Sequence, residues 1–165
     1  MNELLPNLIE TLREELKQYG EMLALLDQQQ HLVMRRQTDD LLPNVAAINA
    51  QADVITAARR EREQRQREMA RQLNLSAAAG FATITPLLPP EYQPLVQALV
   101  EENNELLGRV QQRARQNHLL LSHVVELMQR LIHSLVPGSS PETYNEMGRL
   151  PGNGLPQKPF YQAIG

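Results

Sequence analysis

The sequence predicts an all-α protein, an elongated antiparallel helical bundle of about three long helices with a Pro/Gly-rich C-terminal tail. Three observations predict it. Apolar residues recur at alternating steps of three and four through three long stretches, which is the period of a helix face. Hydrophobic residues make up 42% of the 165-residue chain, yet aromatics make up only 4% and Trp is absent. A core of this composition is built from Leu, Val, Ile and Ala, as in packed helices. After Val136 the rhythm stops and Pro, Gly, Ser and Asn take over. The expected organisation is a bundle over about 1–136 and a flexible tail over 137–165, with helices at about 4–37, 40–73 and 91–136 joined by an apolar connection at 74–90.

In the first helix, Leu5, Ile9, Leu12, Leu16, Tyr19, Leu23, Leu26, Gln30 and Val33 follow the 4-3 alternation of a heptad seam. Pro6 falls in the opening turn, where a missing N–H does no harm. Thr38, Asp39 and Asp40 stop that helix and offer caps for a second, with Pro43 in its opening turn. Leu41, Val45, Ile48, Ala52 and Ile55 continue an apolar stripe, and Arg59, Arg62 and Gln66 then occupy its positions. The stretch RREREQRQREMAR from Arg59 to Arg71 holds six Arg and three Glu. It predicts a solvated, self-paired helix face, so that replacing Arg62 and Arg65 with Gln leaves the fold intact.

Gly80, Pro86, Pro89 and Pro90 exclude a continuous helix through the next segment. Leu75, Phe81, Ile84, Leu87 and Leu88 make it unusually apolar for a connection, and they predict that it packs along the bundle. In the third helix, Leu99, Asn103, Leu106, Val110, Arg113, Asn117, Leu120, Val124, Leu127 and Leu131 form the seam, flanked by Val96, Leu107, Leu121 and Met128. The run from Leu120 to Leu131 reads as core. Asn103 and Asn117 share one heptad position: they either fix register as buried amides or hydrogen-bond a partner in a groove. The tail holds five of the eleven prolines and three of the six aromatics, Tyr144, Phe160 and Tyr161.

The pattern offers no chemistry. Gly152 and Gly154 lie in the tail without a flanking strand or helix, so there is no nucleotide fingerprint. His118 and His123 are five residues apart, on different helix faces, and no Glu-x-x-His repeat is present. No catalytic, cofactor-binding or metal-ligating set is therefore expected. Cysteine is absent and the formal net charge is -3. These values fit a soluble, cytoplasmic protein without a membrane span and without a nucleic-acid partner.

The order of features resembles the FlgN-like flagellar type III export chaperones. The resemblance is carried by LALLDQQQHLVMRR in the first helix, TDDLL and ITAARRERE in the second, VEENNELLGRVQQRARQNHLLLSHVVELM in the third and TYNEMG after it, over residues 1 to 148. It implies a helical bundle in the bacterial cytoplasm that binds hook-filament junction proteins of the FlgK and FlgL type. Such chaperones cover an aggregation-prone terminal segment of the cargo and deliver it to the export gate. Cargo termini of this kind are amphipathic helices, which need an elongated apolar groove. The expected partner contacts are Asn103, Leu107, Val110, Asn117, Leu121, Val124 and Met128 on the third helix and Tyr144, Phe160 and Tyr161 in the tail. The same surface fits a second copy of the chain, giving a homo-oligomeric coiled coil.

Overall fold

The computed structural model describes residues 3–135, and those residues hold four α-helices, three of them long. They are α1 (Leu4–Met34), α2 (Thr38–Gln72), α3 (Phe81–Ile84) and α4 (Gln93–Leu135), with a single 3₁₀ turn at Thr85–Leu87 between the last two. The segment 137–165, with Tyr144, Phe160 and Tyr161, lies outside the described residues.

Helix α1 is the axis of the molecule, because α2 and α4 each pack along it and hardly touch one another. Helix α2 runs antiparallel to α1: Asn44 meets Leu25, Gln51 meets Gln18 and Arg62 meets Glu15. Helix α4 runs parallel to α1. Asn103 donates to the Leu12 carbonyl and Asn117 to the Leu26 carbonyl, both at an offset of 91 residues, so the two helices stay in step.

Both turns out of a long helix have the same form. Arg36 and Asn74 take positive φ angles of 54° and 57°. Behind them Gln37 N–H reaches the Leu32 carbonyl and Leu75 N–H reaches the Ala70 carbonyl, the 6→1 bond of a Schellman motif. Leu75 also packs on the cluster that contains Ala70. Pro43 is the sixth residue of α2, past the opening turn in which the sequence alone places it.

The interior is two apolar clusters with a polar layer between them. Leu5, Leu8, Ile9 and Leu12 of α1 meet Met69 and Ala70 of α2 and Val96 and Leu99 of α4. Phe81, Ile84 and Leu88 of the apolar connection close that end. Further along, Tyr19, Met22, Leu26, Ile55, Leu107 and Val110 make the second cluster. Between them, Glu15 and Asn103 are fully buried and Arg62 is 4% exposed. Arg62 Nε lies 2.8 Å from Glu15 Oε2, and Tyr19 Oη donates to Glu15 Oε1 at 2.7 Å. Arg62 also donates to Gln66, whose amide donates to the Ala79 carbonyl, so one chain of hydrogen bonds links α1, α2 and the connection. Burial, reinforced by the Glu15 carboxylate, pushes the Tyr19 phenol well above its usual pKa and keeps it a donor.

The expectation of a wholly solvated Arg59–Arg71 face is corrected here, because Arg62 points inward to the Glu15 carboxylate. The sequence signal is a cation at a heptad position that also holds Ile55 and Met69. Arg65, by contrast, is clamped on the surface by Glu61 and Glu68. Replacing Arg62 with Gln leaves a buried carboxylate without its counter-ion, a loss of roughly 3 to 5 kcal/mol. Arg65→Gln should leave the denaturation midpoint nearly unchanged. Urea titration of the two single variants separates these outcomes.

Candidate partner-binding surface

The length of α4 creates the surface. Its 43 residues exceed the 31 of α1. At the shared offset the last residue of α1, Met34, comes level with Val125. About ten residues of α4, roughly 15 Å, therefore project past the end of α1. Among the described residues no helix lies alongside this overhang.

The sequence of the overhang does not become polar where its neighbour ends. At 100° per residue, Leu120, Leu121, Val124, Val125, Leu127, Met128, Leu131, Ile132 and Leu135 fall within an arc of about 160°. His118, Ser122, His123, Glu126, Gln129, Arg130, His133 and Ser134 fill the rest, interrupted only by Leu119. The apolar arc continues the same helix face that buries Asn103, Leu107, Val110 and Asn117 against α1. Past the end of α1 that face is open: Leu127 is 49% exposed, Leu131 59% and Leu135 70%. A single exposed leucine means little, but a contiguous amphipathic face of this size is a candidate interaction surface.

The predicted seam Leu120, Val124, Leu127 and Leu131 is thus corrected. Leu120 is half-buried and the other three are exposed, because a heptad pattern records the side of a helix that is apolar and not where its partner stops. The predicted partner residues divide in the same way. Asn103, Leu107, Val110 and Asn117 are buried in the interior. Leu121 is half-buried, and Val124 and Met128 lie on the open face. Met34, Val125, Leu131, Ile132 and Leu135 belong to the exposed apolar set and were missing from the predicted contacts.

The two asparagines act inside the fold. Asn103 Nδ2 reaches the carbonyls of Leu12 and Leu99 at 3.0 and 2.9 Å. Asn117 Nδ2 reaches the Leu26 carbonyl at 2.7 Å and Gln29 Oε1 at 3.0 Å. On the rim, Arg113 bridges to Asp27 at 2.7 Å and donates to Gln30, which ties α4 to the second half of α1. Among the described residues no group of three or more His, Cys, Asp or Glu could hold a metal ion, and no helix is long and apolar enough to cross a membrane.

An all-helical fold with an unpartnered amphipathic end suits a binding protein, and the comparisons agree with that reading. The family model described as FlgN protein matches residues 1–152. The chain belongs to the FlgN family. Neither a curated protein nor a solved structure matches it. The FlgN family is one of flagellar export chaperones, and its match extends through the whole α4 overhang.

For this FlgN-family chain, core and surface positions on one helix make a direct comparison. Leu107→Ala, at a fully buried site, should cost roughly 2 to 5 kcal/mol. Leu127→Ala should cost well under about 1 kcal/mol, since an exposed leucine leaves no cavity. Thermal melts of the two variants check the assignment of Leu127 to the surface.

Proposed function

We propose that the chain is a cytoplasmic export chaperone that binds hook-filament junction proteins of the FlgK and FlgL type before type III secretion, without turnover. Family membership supports the chaperone role. The α4 overhang supports the mode of binding. The observation that carries the reading is that the face of α4 used to hold α1 continues, apolar and open, beyond Met34. An amphipathic helix from the cargo fits this surface by taking up the line along α4 that α1 leaves vacant, with Val124, Leu127, Met128 and Leu131 as its contacts. Burying such a face on the cargo removes apolar surface of both partners from water, which is how a chaperone keeps an aggregation-prone segment from self-association.

Tyr144, Phe160 and Tyr161, outside the described residues, are proposed to add contact area once a partner is present, because aromatic side chains contribute most when a second surface buries them. The export gate is the proposed destination of the loaded complex.

Titration calorimetry with C-terminal segments of FlgK-type and FlgL-type proteins tests the proposal. Leu127→Glu combined with Leu131→Glu should weaken binding by at least about tenfold, or 1.4 kcal/mol, with the melting point preserved. Undiminished binding would move recognition away from α4. Gel filtration of the free chain addresses the other occupant: a dimer abolished by the same pair of charges would make the overhang a self-association surface. Truncation after Val136 should preserve the helical circular dichroism and its melting point while weakening cargo binding several-fold. Full-strength binding by the truncated chain would place recognition wholly within the helices.

A further inference from the structure

The six arginines between Arg59 and Arg71 fall into two sets of three. Arg59 pairs with Glu63, Arg62 with the buried Glu15, and Arg65 with both Glu61 and Glu68. Arg60, Arg67 and Arg71 are exposed, and no side chain among the described residues hydrogen-bonds or ion-pairs with them. At 100° per residue these three lie within about 40° of one another, on one line along α2 about 16 Å long. Ile55, Arg62 and Met69, which face α1, lie on the opposite side of the helix.

The three glutamates of this stretch do not neutralise the line. Glu61 and Glu63 are held at its flanks by Arg65 and Arg59. Glu68 accepts from Gln64 and Arg65, and these hydrogen bonds, that of Gln64 first, followed by the charges of Arg65 and Arg71, hold its carboxyl below the usual range. The preceding carboxylate on the same face, Asp53, is seven residues before Arg60, roughly 10 Å away. A chain of net charge -3 thus carries three exposed guanidinium groups in a straight line, none hydrogen-bonded or ion-paired to a carboxylate among the described residues, on the outer face of a helix whose inner face packs on α1.

We propose that Arg60, Arg67 and Arg71 form a second docking surface, for a protein partner that presents a helix with carboxylates at the matching seven- and four-residue spacing. Charge complementarity selects that occupant. Guanidinium groups hold carboxylates in bidentate pairs, and a rigid line of three rewards a partner whose carboxylates are themselves held in line. Nucleic acid fits less well, because three cations are few, glutamates flank them on both sides, and α2 offers no aromatic for stacking. The stripe begins level with the Glu15–Arg62 layer and runs toward the end closed by the connection, whereas the α4 overhang projects from the other end. A partner on the stripe therefore leaves the overhang free, and the two surfaces can be occupied together.

Fluorescence anisotropy on the full chain tests this with two labelled helical peptides of identical composition. One carries Glu at positions i, i+7 and i+11, and the other carries the same residues scattered around the helix. The aligned peptide should bind roughly tenfold more tightly than the scattered one at low ionic strength, and should weaken as salt is raised. The triple variant R60Q/R67Q/R71Q should lose that preference with an unchanged melting point. Leu127→Glu with Leu131→Glu should bind the aligned peptide like the unmodified chain, which keeps this test independent of the cargo proposal. Equal binding of the two peptides, or none by either, would overturn the docking surface. So would tighter binding of a short DNA duplex that is lost in the triple variant, since that would make the stripe a phosphate contact.

Discussion

The carboxylate of Glu15 is buried at the centre of the molecule, and the arrangement of α1, α2 and the connection depends on how it is satisfied. One oxygen takes the Arg62 guanidinium and the other the Tyr19 phenol. Arg62 in turn holds Gln66, which holds the Ala79 carbonyl. Replacing this group of side chains with apolar ones of equal volume would cost little stability or even add some, since desolvating an ion pair offsets most of its attraction. Its role is positional. An apolar α1–α2 seam tolerates sliding by a heptad, but a buried carboxylate tolerates only the alignment that brings Arg62 to it. Gln51 on Gln18 and Asn44 on the Leu25 carbonyl repeat the constraint further along.

Much of the fold follows from patterning that can be read directly. Apolar spacing marks the three long helices, and the connection buries Phe81, Ile84 and Leu88 because a segment that apolar has to be covered. The polar seam was harder to read. Apolar spacing in α1 marks Leu16, Leu23 and Gln30, which are half-buried, and omits Leu8, Glu15, Met22 and Gln29, which are buried. The difference has a physical cause: Glu15 and Gln29 are polar, so the apolar spacing shifts by one residue to a seam that takes in Leu16 and Leu23. Each of these interior polar residues answers a partner on another helix, Glu15 with Arg62, Gln29 with Asn117, Gln51 with Gln18 and Asn44 with the Leu25 carbonyl, and partners 19 to 88 residues apart leave no mark on a helical period.

The same limit governs the candidate surface. Sequence spacing identifies the apolar arc of α4 as far as Leu131, yet whether that arc is core or surface depends on where α1 ends and at what offset the two helices align. Neither quantity can be read from the apolar spacing of α4. The turn at Arg36, closed by Gln37 on the Leu32 carbonyl, sets the first. Asn103 and Asn117 set the second. Their amides bond to carbonyls of α1, the register-fixing alternative that the heptad spacing offers, and their placement is the reason that other residues are exposed.

The exposure of the overhang is itself a consequence to be explained, since hydrophobic burial alone would favour an alignment that covers it. Sliding α4 by one heptad toward the start of α1 would bury Val124 in the place that Asn117 now holds and would cover Leu127 and Met128 as far as Leu120 and Leu121 are covered now. It would also bring Asn103 level with Leu5 and Asn117 level with Tyr19, next to the Glu15 carboxylate and away from Gln29. Each misplaced amide forfeits hydrogen bonds worth roughly 1 kcal/mol and leaves buried polar groups that cost about 1 to 3 kcal/mol apiece. The amide oxygens of Asn103 and Asn117 already have no hydrogen-bond partner among the described residues, so these side chains are poor stabilisers and good selectors. Burying a few half-exposed leucines gains a comparable amount, and the slipped alignment also loses Val96 and Leu99 from the cluster closed by Phe81 and Ile84. The polar positions inside the bundle thereby hold an apolar surface outside it, and that surface is the one on which the proposed cargo contact rests.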